Sequence, residues 1–234
     1  MTPPTLIYAT GVGLSPNAFG SVADQVGGSH RLWVRPGYEG RPAPNGLADQ
    51  VDDLARLVDE VGPAWVVGLS GGATLALALG LAPPPGLVGI VTHEPLVGPL
   101  VPELDARVRA GAVSVQQGGV DAIDAFLLGL YGADSWARLP VEFEEWRRRH
   151  RDVAAAEIPS FAGFAPDRSD LETMTISHCT TVGARSGPER QQVAALLADT
   201  GAEAVTIPDC GHLALVDAPA ALAATIIDCI GVDE

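Results

Sequence analysis

The sequence predicts an α/β fold with a mostly parallel sheet and helices on both faces, and three observations predict it. Short apolar runs bounded by turn residues recur along the chain, helical patterns lie between several of them, and the alternation breaks only once. Strands buried on both faces read as near-continuous apolar runs, and their alternation with helices marks a parallel sheet. The 234 residues, 47% hydrophobic and 18% charged, can bury one sizeable core and are too few for two. A single domain over residues 1–234 is expected.

The elements follow in order. TLIYATG and HRLWVRPG have the length and β-branched content of buried strands. Leu47, Val51, Leu54, Leu57, Val58 and Val61 recur at spacings of three and four, the single apolar stripe of a surface helix. AWVVGL then runs straight into the helix-like GATLALAL, and LVGIVTHEP follows as the next strand. The greasy segment from Gly71 to Val91 is divided by Pro83, Pro84 and Pro85, and each half is shorter than the roughly 20 residues a membrane helix needs.

Between roughly residues 99 and 171 helical pattern replaces strand pattern. Ile123, Phe126, Leu127, Leu130 and Tyr131 form one apolar face, and Glu144 and Glu145 stand four residues before Arg148 and Arg149. An insertion after a strand's carboxyl end lies over the crevice where such sheets bind ligands, so this segment is expected to be a small helical cap. ISHCTTVG and EAVTIPDCG supply the last strands, with Glu189 in the first turn of the helix between them, and APAALAATIIDCI closes the chain as a helix.

Composition narrows the partners. A formal net charge of -15 repels polyanions at long range, which argues against nucleic acid and anionic membranes and for a small-molecule substrate. The start, MTPPTLIYATG, lacks the basic region and apolar stretch of a signal peptide, so a cytoplasmic protein is expected. The basic run WRRRHR, residues 146–151, reads as a solvated helix face balanced by its own glutamates. Cys179, Cys210 and Cys229 lack the paired spacing of zinc or redox motifs and read as small buried hydrophobes.

The chemistry centres on GLSGG, residues 68–72. A strand running into a helix places Ser70 at the apex of a sharp turn, the context of a nucleophile elbow. Gly68 and Gly72 flank it where a Cβ would collide with the neighbouring chain, and the helix starting at Gly71 aims free NH groups at the same point. A serine hydroxyl needs a base to take its proton. His30 and His93 lie at strand ends, His150 in the basic run and His178 inside an apolar strand, whereas His212 sits in a loop after the last strand, next to the flexible Gly211. Such a loop opens onto the crevice that holds Ser70, so His212 is the expected base.

GLSGG, the later DCGHLALVDAP and the strand-helix alternation together resemble the α/β-hydrolase family over nearly the whole chain, and RPGYEGRPAP resembles the loop after that family's second conserved strand. The resemblance implies a hydrolytic triad. The chain departs from the pattern twice: Thr10-Gly11 stands where the first conserved strand commonly ends in His-Gly, and Ser186 stands near the position of the usual acid. The first departure leaves an oxyanion hole of backbone NH groups intact, and Val12 and Gly71 are its expected donors. For the acid, Glu94 ends the strand after the nucleophile's helix, and Pro95 biases it toward an extended backbone at the strand tip. Glu189, Asp209 and Asp217 are the alternatives.

These residues predict a cofactor-free, metal-free serine esterase acting on a small, mainly apolar substrate. Leu14, Leu96, Phe126, Tyr131, Trp136, Phe161 and Phe164 are the expected pocket residues. The same fold also supports carbon-carbon hydrolysis, lyase or cofactor-free oxidative chemistry, and the two departures leave open a binding protein with a retired site.

Overall fold

The computed structural model describes residues 3–231. Six strands, β1 (Thr5–Ala9), β2 (His30–Leu32), β3 (Ala64–Leu69), β4 (Leu87–His93), β5 (Ser177–Gly183) and β6 (Glu203–Ile207), form one sheet in the order β2-β1-β3-β4-β5-β6. Every pairing is parallel. The central strands are apolar on both faces: all five residues of β1 and all six of β3 are buried. HRLWVRPG contributes only three residues to its strand; Trp33 adds one more bond to β1, its amide donating to the Tyr8 carbonyl at 3.0 Å, while its buried indole NH donates to Asp53.

Handedness distributes the helices. The step from β1 to β2 runs opposite to the steps from β2 to β3 and onward, so right-handed crossovers put α1 (Gly20–Val26) on one face and α2 (Leu47–Val61), α3 (Gly71–Leu81) and α10 (Pro188–Asp199) on the other. The last helix, α12 (Pro219–Ile230), follows the short α11 (Ala214–Asp217) and packs beside α1. The direction reverses between β1 and β3, and a parallel sheet opens its ligand crevice beyond the carboxyl ends of the strands at such a switch point. Val12 follows β1 there, and Ser70 follows β3.

Six helices connect β4 to β5: α4 (Pro102–Gly118), α5 (Val120–Tyr131), α6 (Ala133–Ala137), α7 (Val141–Arg149), α8 (Arg151–Ala162) and α9 (Arg168–Glu172). A buried ion pair ties α8 to the sheet. Arg35 Nη2 lies 3.0 Å from Glu157 Oε1, both side chains are about 2% exposed, and the Tyr38 hydroxyl donates to the same oxygen at 2.5 Å. The run 146–151 is only partly solvated. Arg148 pairs outward with Glu144, but Arg147 is buried, donates to Asp124 and lies 4.1 Å over the Trp136 ring, and His150 is buried against Trp146. Charge on a helix shows in a sequence, but the face that a neighbouring aromatic covers does not.

Two of the three cysteines also differ from expectation. Cys179 on β5 and Cys229 on α12 are joined in a disulfide, whereas Cys210 is free and buried. The pair is 50 residues apart in sequence, and only the packing of α12 against the sheet brings it together. Among the described residues no helix is long and apolar enough to cross a membrane.

Removing one partner of a buried ion pair strands the other charge, at a cost of about 3–5 kcal/mol. Glu157→Ala should therefore lower unfolding stability by about that amount, read as a lower urea midpoint with an unchanged slope. A midpoint within error of the wild type would show that the pair does not hold α8 down.

Candidate active site

Ser70 sits between β3 and α3 with φ 55° and ψ -117°, a backbone conformation that L residues rarely adopt. The surroundings enforce it. Its amide donates to the His93 carbonyl at 2.9 Å, extending the β3–β4 ladder into the turn, and its carbonyl accepts from the Thr74 amide at 2.9 Å. A Cβ on Gly68 would lie 2.6 Å from the Ala73 nitrogen, and one on Gly72 would run into the Ala9 carbonyl. The turn is as tight as its two glycines allow.

The Ser70 Oγ lies 2.9 Å from His212 Nε2, and His212 Nδ1 lies 2.6 Å from Glu94 Oε2. A carboxylate at Nδ1 fixes the proton on that nitrogen and leaves Nε2 to accept from the serine hydroxyl. His212 reaches this position because Gly183, at the end of β5, has no side chain: a Cβ there would lie 2.5 Å from the Cys210 carbonyl. The loop is held from its other end by Asp217, which accepts from the Gly211 amide at 2.8 Å and pairs with Arg138 and Arg185.

Glu94 is buried, and its backbone is not extended as Pro95 suggested. It has φ 51°, because its amide turns to donate to the Thr181 carbonyl of β5 at 3.1 Å. That turn carries the carboxylate between β4 and the loop after β5. There Oε1 accepts from the Gly183 amide at 3.0 Å and from the Ser186 hydroxyl. Arg190 approaches Oε2 to 3.4 Å with Nε and donates from Nη1 to the Glu94 carbonyl at 2.9 Å. Burial would raise the carboxyl's pKa, but the His212 hydrogen bond and the nearby cationic groups outweigh it and hold the acid well below the usual range. Burial and the Arg190 charge push His212 below its ordinary value, although Glu94 pulls it upward.

The other acids lie elsewhere. Glu189 pairs with Arg107, Asp217 holds the loop, and Asp209 takes a positive-φ turn beyond β6. Ser186, which stands near the position of the usual acid, donates to Glu94 instead, and Arg190 has no signal in the sequence beyond its place in the helix after β5. His93 is a further buried neighbour, hydrogen-bonded to Thr181 at 2.9 Å.

Two braces shape the loop after β1. Arg35 Nη2 donates to the Gly11 carbonyl at 3.1 Å, and the Tyr131 hydroxyl donates to the Val12 carbonyl at 2.6 Å. The Thr10 hydroxyl bonds the Leu14 carbonyl at 3.2 Å, so the threonine at the departure from His-Gly closes this turn internally. A small apolar space over Ser70 encloses about 30 Å³ and is lined by Val12, Gly71, Leu96, Phe126, Tyr131 and Phe161 among others. Leu14 is instead core, Trp136 stacks on Arg147, and Phe164 lines a separate groove of about 710 Å³ between α2 and α8. All three are aromatic or aliphatic residues at helical or turn spacing whose direction the sequence leaves undetermined.

The family model described as "Alpha/beta hydrolase family" matches residues 9–225. The chain belongs to the alpha/beta hydrolase family. No curated protein matches this hydrolase in sequence. Among solved structures, the enol-lactonase from Burkholderia xenovorans LB400 is similar to it with a TM-score of 0.78 at 18% identity, covering 99% of this chain and 93% of that one. A thermophilic esterase from Thermogutta terrifontis has a TM-score of 0.78 at 20% identity, with 97% and 89% covered. MenH from S. aureus has a TM-score of 0.78 at 16% identity, with 99% and 94% covered. At these identities the likeness is one of fold.

The hydrolase elbow has a direct stability test. Gly72→Ala must displace the Ala9 backbone, and overpacking of this kind costs about 1–3 kcal/mol. Gly129 on α5 has open space around its Cβ position, so Gly129→Ala should instead stabilise by up to about 1 kcal/mol. Equal melting temperatures for the two variants would remove the close approach as the reason for the glycine.

Proposed function

We propose that the protein is a cofactor-independent serine hydrolase that cleaves a small, mainly apolar ester through an acyl-enzyme. The observation that carries this reading is the continuous path Ser70 Oγ, His212 Nε2, His212 Nδ1, Glu94 Oε2, with steps of 2.9 and 2.6 Å across the imidazole. Ser70 attacks the carbonyl while His212 takes its proton, and Glu94 orients the ring and stabilises its charged form. The amides of Val12 and Gly71 receive the developing oxyanion, and Arg35 braces the peptide of the first through its Gly11 carbonyl. His212 then returns the proton to the leaving alcohol, activates water, and the acyl group is released.

The wall over Ser70 supports an apolar acyl group. Leu96, Phe126, Leu130, Ile158 and Phe161 face it, and the space has room for about two waters. A short acyl chain fits with small side-chain movements, and a long one does not.

Exposure to a fluorophosphonate should add one adduct to the intact protein, absent in Ser70→Ala. Glu94→Gln should be labelled about 10²–10⁴-fold more slowly. A folded wild type that takes up no adduct would sink the mechanism. Esterase activity should fall from acetyl to octanoyl p-nitrophenyl esters. Phe161→Ala, which removes the ring lying 3.1 Å from where a Gly71 Cβ would stand, should narrow that gap about tenfold. A wild type that prefers octanoyl would contradict the short-acyl reading.

A further inference from the structure

We propose that Arg190 is a positioning residue for the proposed triad, clamping Glu94 by backbone and carboxylate together so that the acid can stand at the end of β4. The inference rests on the triad reading. Glu94 has φ 51°, a strained conformation for an L residue that persists only where the surroundings over-determine it. Its amide is fixed by Thr181, and its carbonyl accepts from Arg190 Nη1 at 2.9 Å while Nε of the same guanidinium stands 3.4 Å from Oε2. One planar group thus contacts both ends of the residue, a geometry the fork of arginine allows and the point charge of lysine does not. The side chain is 4% exposed. Packing alone is served as well by an apolar residue, without the cost of burying a charge. The charge therefore has work to do at Glu94.

It also bears on the imidazole. The groups facing His212 are Glu94 and His93 from the end of β4, Arg190 from α10, Tyr131 from α5 with ring centroids 6.0 Å apart, and Ser70; on its own loop, Asp217 is occupied with Arg138, Arg185 and the Gly211 amide. Glu94 favours the imidazolium, whereas Arg190 and His93 oppose it. Removing the guanidinium favours the charged ring, so the base should lose its proton only at higher pH.

The test is the rate of fluorophosphonate labelling of Ser70 against pH, in wild type, Arg190→Gln and Arg190→Lys, each normalised to its final labelled fraction and checked by circular dichroism. Arg190→Gln removes charge and clamp: its plateau rate should fall about tenfold or more, and its ascending limb should move to higher pH. Arg190→Lys keeps the charge but not the two-point hold, so its plateau should fall while its limb stays at the wild-type pH. A limb unmoved in Arg190→Gln, or an Arg190→Lys plateau equal to the wild type, would overturn the assignment. Should Arg190→Gln not fold, the Arg190→Lys plateau decides alone. A wild type that takes no label removes the triad reading itself, an outcome distinct from labelling that ignores Arg190.

Discussion

A carboxylate taken fully out of water is the constraint on which the rest of this site depends. Glu94 is 1% exposed, and an ionised carboxyl there is tolerable only if each oxygen is partnered. Four groups from three stretches meet that demand: the Gly183 amide at the end of β5 with the Ser186 hydroxyl just beyond it, Arg190 on α10, and His212 after β6. Because the partners come from three segments outside β4, the carboxylate can be satisfied only when β4, β5, α10 and the histidine loop have all assembled. The polar network and the right half of the sheet are one structural unit.

The sheet supplies the other fixed point. Ser70 adopts its unusual backbone where the ladder of β3 and β4 runs one hydrogen bond past the last strand residue, to the His93 carbonyl. The residue after that carbonyl is Glu94. Ser70 and Glu94 are therefore held by consecutive positions, His93 and Glu94, and the His212 ring bridges the short gap between the two side chains. This register lets a carboxylate at the end of β4 reach the space beside the loop after β5. The carboxyl leaves from a different strand but enters the same space, and Ser186 turns its hydroxyl into it.

Much of this was legible because it depends on local pattern. All six strands were visible as apolar runs, and the elbow was visible because Gly68 and Gly72 answer a local steric need. His212 was readable from its place in the order of elements. What the sequence concealed depends on long-range approach. The positive φ of Glu94 follows from a bond to Thr181, 87 residues away, against the local preference set by Pro95. The Cys179–Cys229 bond needs α12 docked on the sheet. Arg147 and Trp136 satisfy one another across two helices, so neither a solvated charge nor a pocket aromatic results. Arg190 resembled any other helical arginine until its burial was known.

The connection between β4 and β5 is more than a cover, because its side chains reach into the loop after β1 from two directions. Tyr131 on α5 holds the Val12 carbonyl, and Glu157 on α8 holds Arg35, whose guanidinium holds the Gly11 carbonyl. The Gly11 and Val12 carbonyls are thus fixed by way of helices that also carry Phe126, Ile158 and Phe161 over Ser70. A shift of α5 or α8 large enough to admit a bulky ligand would strain these braces as well as widen the space. The width of the space over Ser70 and the geometry of the loop after β1 are therefore mechanically coupled, because the same two helices set both.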